Sequence, residues 1–145
     1  MLQKKIKYTD FNGETREETF YFNLSQSELY KLENSESGGL TKRLQFILER
    51  KDAPSIMDTF TDLIKWSYGE PSPDGRRFNK SDEIYADFSS TMAYDELFME
   101  LCTNSESAIA FVQGILPKDI AKEINQTSID ELMASRNLSV VSGDA

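Results

Sequence analysis

The chain has no histidine, one cysteine (Cys102) and four prolines among 145 residues. Without histidine there is no Ser-His or Cys-His pair and no histidine-metal set. A single cysteine excludes an internal disulfide and cysteine-cluster zinc sites. Basic residues are scarce beside acidic ones, 16 against 25, for a net charge of −9. That balance argues against a phosphate-backbone binder, which must concentrate lysine and arginine. Long apolar runs are missing too, and nothing approaches the roughly 20 residues of a membrane span. The first ten residues carry lysines without an apolar core, so they do not read as a signal peptide. No metal, no cofactor, no nucleic acid and no membrane is therefore expected, in a reducing cytoplasm. No catalytic apparatus is visible, and the expectation is not an enzyme.

Hydrophobic residues make up 39% of the chain and aromatics 11%, enough for a packed core. Residues 3–10 and 14–24 read as two strands. Ile6 and Tyr8 alternate with Lys5, Lys7 and Thr9; Phe20, Phe22 and Leu24 alternate with Tyr21 and Asn23. Asn12-Gly13 between them predicts a two-residue turn. The polar stretch Thr15 to Thr19 is expected to protrude.

Beyond residue 24 the period becomes helical. Ser25-Gln26-Ser27-Glu28 is a capping box. The helix it opens is expected to stop before Ser37-Gly38-Gly39. Leu40, Leu44, Ile47 and Leu48 then form a stripe, and Asp52 with Pro54 marks the next helix start. Ile56, Phe60, Leu63 and Ile64 are its apolar face, with Met57 and Trp66 on the shoulders. Residues 69–80 hold Pro71, Pro73 and Gly75 and read as a loop. Ser81 caps a helix with Ile84, Tyr85 and Phe88. Tyr94, Leu97, Phe98, Leu101 and Cys102 make another stripe. Thr103-Asn104-Ser105-Glu106 predicts a second capping box. It opens a helix with Ala108, Phe111, Val112 and Ile115, closed by Pro117.

The expected fold class is α+β, mostly α: an N-terminal β-hairpin packed on about five to six helices. Residues 1–117 read as one globular domain (hairpin 3–24, helices 25–117). Residues 118–135 read as a weak helical extension and 136–145 as a flexible tail.

The candidate sites weigh towards structure. Ser72-Pro73-Asp74-Gly75 is turn chemistry and lacks the spacing of a phosphate loop. The acidic pairs Glu17-Glu18, Asp82-Glu83, Asp95-Glu96 and Asp130-Glu131 are adjacent, so on a helix their side chains diverge. Cys102 lies on an apolar stripe with no base to activate it. Arg76 and Arg77 suit acidic groups, because guanidinium forks grip carboxylates. Trp66 and Tyr68 cap the core or form a binding patch, since both types are enriched at interfaces.

Two stretches carry more than generic physics. One is Tyr8-Thr9-Asp10-Phe11-Asn12-Gly13 leading to Phe20-Tyr21-Phe22-Asn23-Leu24-Ser25. The other runs from Ile64-Lys65-Trp66-Ser67-Tyr68-Gly69 through Ser72 to Ser81 and Phe88. It continues in Ala93-Tyr94-Asp95-Glu96-Leu97-Phe98-Met99-Glu100-Leu101 and ends in Ala110-Phe111-Val112-Gln113-Gly114-Ile115-Leu116-Pro117. In this order the motifs resemble the tail assembly chaperones of long-tailed bacteriophages and prophages of Gram-positive hosts.

The resemblance implies a protein that binds the tape measure protein and keeps it soluble while tail tube subunits polymerise around it. It implies work in the host cytoplasm and absence from the finished virion. This chain would be the short form of a frameshifted pair. Partners implied are the tape measure protein, the tail tube protein and the long form. Residue roles are not implied; composition places the contact surface around Trp66, Tyr68, Arg76, Arg77 and Phe78. Self-association through the hairpin edge is open, with Lys5 and Lys7 as a guard against it. A virion structural protein, such as a tail or connector subunit, is the alternative reading. A carboxylate-only enzyme and a blocker of a host factor are weaker ones.

Overall fold

A computed structural model describes residues 1–34 and 53–117. The expected stripe Leu40/Leu44/Ile47/Leu48, the stop at Ser37-Gly38-Gly39, Asp52, and the readings for 118–135 and 136–145 lie outside these residues.

The first strand, β1 (Leu2–Thr9), pairs antiparallel with β2 (Thr15–Phe22). Alternation sorts the hairpin into two faces. Ile6, Tyr8 and Phe22 are buried, whereas Lys5, Lys7 and Thr9 are exposed. Thr15 to Thr19 are exposed throughout, as their polarity predicts. The turn differs from the expected two-residue form. Asp10 N–H donates to the Glu14 carbonyl at 2.8 Å and Gly13 N–H to the Asp10 carbonyl at 3.0 Å. Three residues therefore form the loop, with Gly13 at φ +82°. The Asp10 carboxylate fixes this shape: Oδ1 accepts from the Asn12 and Glu14 amides, both at 2.9 Å, and Oδ2 accepts from Arg16 Nε at 2.6 Å.

Helix α1 (Gln26–Glu33) starts at the predicted capping box. Glu28 N–H donates to Ser25 Oγ, and Ser25 N–H donates to Glu28 Oε1. Ser25→Ala is expected to lower stability by about 1 kcal/mol, read as a fall in melting temperature.

Helix α2 (Ala53–Ser67) buries Ile56, Phe60, Leu63 and Ile64 on one stripe, while Met57 on its shoulder is exposed. It ends where Ser67 Oγ donates back to the Leu63 carbonyl at 2.6 Å. The Ser67 carbonyl meanwhile accepts from Asn23 N–H at 2.8 Å. The chain passes directly into β3 (Tyr68–Pro71), which pairs with β2, and then β4 (Phe78–Asn79), which pairs with β3. The segment read as a loop is thus a second hairpin, and among the described residues the sheet has four strands in the order β1-β2-β3-β4. Pro71 is compatible with this because it lies at the end of its strand.

Helix α3 (Asp82–Ser89) is capped by Ser81 as predicted. Helices α4 (Met92–Thr103) and α5 (Ser105–Ile115) abut at Asn104, which is the C-cap of one and the N-cap of the other. The expected second capping box gives way to a simple N-cap one residue later. Asn104 Oδ1 accepts from Ser107 N–H, while Thr103 Oγ1 donates to the Met99 carbonyl within α4. Asparagine outranks threonine as an N-cap, and Thr103 is still held in the preceding helix.

Helices α4 and α5 pack on β1 and α3 packs on β3, while α2 packs on α4. The core joins Ile6, Tyr8, Phe22 and Leu24 to the stripes of α2, α4 (Ala93, Leu97, Leu101) and α5 (Ala108, Phe111, Val112, Ile115). This is the expected α+β, mostly α, class, with a sheet where a lone hairpin was expected. Among the described residues no helix is long and apolar enough to cross a membrane.

Candidate partner-binding surface

The stretch from Trp66 to Ser81 crosses three environments because the chain switches period at Ser67. Trp66, one residue before the end of α2, is partly buried. It lines an open groove of about 240 Å³ with Leu24, Glu28, Lys31 and Leu32. Strand alternation turns Tyr68 inward instead. Its ring stacks on Phe88 with centroids 4.2 Å apart and planes at 14°, and it packs on Phe22 at 5.5 Å. Burial, with help from nearby carboxylates, pushes the Tyr68 phenol up to about 12. Tyr68 is thus a core residue that supports the surface from below, not one that presents itself to a partner.

Phe78 is half-buried on β4 and closes over Gly69. A Cβ added at Gly69 would lie 2.5 Å from the Phe78 ring and 2.9 Å from the Asn79 carbonyl, so glycine is what lets the two strands approach. Arg76 and Arg77 are exposed at the tip of the second hairpin. The tip is built as a turn. Ser72 N–H donates to the Arg77 carbonyl at 2.8 Å, and Ser72 Oγ donates to Asp74 Oδ1 at 2.6 Å. Gly75 takes φ +76°. The Asp74 carboxyl is held below the usual range, first by that Ser72 hydroxyl and then by the Arg76 amide. The five predicted residues therefore divide: Trp66 faces a groove, Phe78 shields a strand crossing, both arginines reach solvent, and Tyr68 is buried.

The residue that ties this surface together is Lys80. Its Nζ donates to the Asn23 carbonyl, the Trp66 carbonyl and Glu28 Oε2, each at 2.7 Å. It also lies 5.7 Å from the Phe78 ring centroid. One ammonium thus ties the end of β2, the end of α2 and the start of α1 together. The opposing effects on Glu28 are burial, which pushes its carboxyl up, and the Lys80 and Ser25 hydrogen bonds, which pull it down. The hydrogen bonds prevail, and the net shift is downward. Sequence reasoning had no access to this junction, because Lys80 is 52 residues from Glu28 and 57 from Asn23.

Among the described residues no group of three or more Cys, Asp or Glu side chains is placed to hold a metal ion. The groove beside Trp66 is open and partly apolar, with Glu28 and Lys31 among its lining residues. The model of the phage tail assembly chaperone family matches residues 1–144. The chain belongs to that family. No curated protein matches the chain, and no solved structure does.

Proposed function

We propose that this tail assembly chaperone binds the tape measure protein and keeps it soluble while the tail tube polymerises. Family membership over residues 1–144 carries the reading. The physical case is consistent with it. A long helical protein exposes apolar faces before assembly, and such faces aggregate unless covered. The groove beside Trp66 offers an apolar seat for one helical face. The net charge of −9 keeps a decorated complex dispersed by mutual repulsion. Several copies on one tape measure need only modest affinity each. The chaperone acts in the host cytoplasm and leaves before the virion is complete.

Co-expression with the tape measure protein tests this. The partner is expected to move from the pellet to the soluble fraction and to co-purify. Trp66→Ala and Phe78→Ala together are expected to weaken co-purification at least about tenfold, the scale of an interface anchor. Helical circular dichroism should be retained. Undiminished capture by the double variant rejects this surface, and an insoluble tape measure protein rejects the function.

A further inference from the structure

A second surface lies at the opposite edge of the sheet, where β1 ends the strand order. Backbone groups on a paired strand point alternately to its two neighbours. Counting from the Asp10–Glu14 bond, the even residues of β1 bond to β2. Leu2, Lys4, Ile6 and Tyr8 stand opposite Phe22, Phe20, Glu18 and Arg16. The far side of β2 obeys the same alternation, since Asn23 N–H bonds to Ser67 and Tyr21 stands opposite Gly69. Gln3, Lys5, Lys7 and Thr9 consequently turn their N–H and C=O groups to the far edge, where no strand among the described residues pairs with β1.

That edge borders a groove of about 460 Å³ between β1 and α4. Its floor is Ile6 and Leu97, both buried. Its wall includes Met99, a large apolar side chain that is 51% exposed. The charges are arranged in two tiers. On the solvent face of the strand stand Lys5 and Lys7, both exposed. Lys5 Nζ is 3.4 Å from Glu17, a loose surface pair that adds little stability. On the groove side Lys4 is already neutralised by Glu100 at 2.5 Å, and Glu96 lines the far wall.

We propose that the β1 edge takes an extended segment of a partner protein as a fifth strand, with carboxylates on one face and apolar residues on the other. The two tiers specify that pattern. Side chains opposite Lys5 and Lys7 point to solvent beside two ammonium groups, where Asp or Glu is favoured. Side chains opposite Lys4 and Ile6 enter the groove, where Ile6, Leu97 and Met99 favour an apolar group. A second copy of β1 fits badly, because antiparallel self-pairing sets lysine against lysine. Main-chain hydrogen bonds supply affinity and the alternation supplies selectivity. This surface is separate from the Trp66 groove and does not depend on the tape measure reading.

The test uses two capped synthetic peptides, one alternating Glu and Val and one alternating Lys and Val. Amide hydrogen exchange in the full-length chain is read residue by residue. The Glu-Val peptide is expected to protect Gln3, Lys5, Lys7 and Thr9, and the Lys-Val peptide is not. Lys7→Pro removes an N–H that points away from β2, so the ladder survives while the open edge is blocked. It should reduce protection at least about tenfold. Should that variant fail to fold, Lys5→Glu with Lys7→Glu is expected to reverse the preference toward the Lys-Val peptide. Three results overturn the proposal: no protection at millimolar peptide, equal protection by both peptides, or protection that rises with protein concentration alone, which marks a second copy as the occupant.

Discussion

Phe22→Ala is expected to destabilise the fold by about 3–5 kcal/mol, the range for truncating a buried aromatic. The side chain is fully buried. It packs edge-on against Phe111 of α5 at 5.3 Å and against Phe88 of α3 at 5.9 Å, and lies 5.5 Å from Tyr68 of β3. Its backbone stands between Leu2 on one side and Tyr68 on the other, so the strand cannot shift to fill the void. A loss of this size is a large fraction of the about 5–15 kcal/mol that holds a domain together. Urea denaturation with circular dichroism should show the midpoint collapsing toward zero denaturant. Phe22→Leu keeps most of the volume but loses the ring contacts, each worth about 0.5–1.5 kcal/mol. It is expected to fall between the parent and the alanine variant. An alanine variant as stable as the parent contradicts this packing.

The burial of Phe22 was legible in sequence because period two identifies the face of a strand without a partner being known. The same holds for the stripes at Ile56, Phe60, Leu63 and Ile64 and at Ala108, Phe111, Val112 and Ile115. Their helical spacing is local information. The second hairpin was not legible in this way. Its strands are four and two residues long and carry Pro71 and Gly69, so no local pattern distinguishes them from loop. They are strands because β2 already presents unpaired groups at Tyr21 and Asn23. The candidate site shows the same boundary. Trp66 and Tyr68 are two residues apart and look alike in sequence as amphipathic aromatics. The switch from helix to strand at Ser67 turns one to a groove and the other to the core. Family resemblance was legible because motif order survives without any knowledge of contacts.

Lys80 makes the contrast sharpest and yields the other large expected effect. Lys80→Met keeps most of the aliphatic stem and removes the ammonium. Lysine has three donors and no acceptor, and all three are used here on convergent oxygens. Removing them leaves the Asn23 and Trp66 carbonyls and the Glu28 carboxylate to find water. Hydrogen bonds to a charged group contribute about 1.5–3 kcal/mol each, but shared donors do not add. Glu28 is also 38% exposed, which screens its share. The expected net loss is about 2–3 kcal/mol at neutral pH. Lys80→Arg should not restore it, because a planar guanidinium cannot aim donors in three convergent directions. Acid titration separates the ion pair from the carbonyl contacts. The folded Glu28 pKa lies below its ordinary value of 4.5, so its stabilising contribution is complete above 4.5 and is lost as pH falls through the folded value. Thermal melts of the parent should therefore lose stability on acidification through this window, and Lys80→Met should lose less over the same interval. Equal acid sensitivity in both would mean that the Lys80–Glu28 contact contributes nothing to the fold, leaving the two carbonyls to account for whatever Lys80 stabilises.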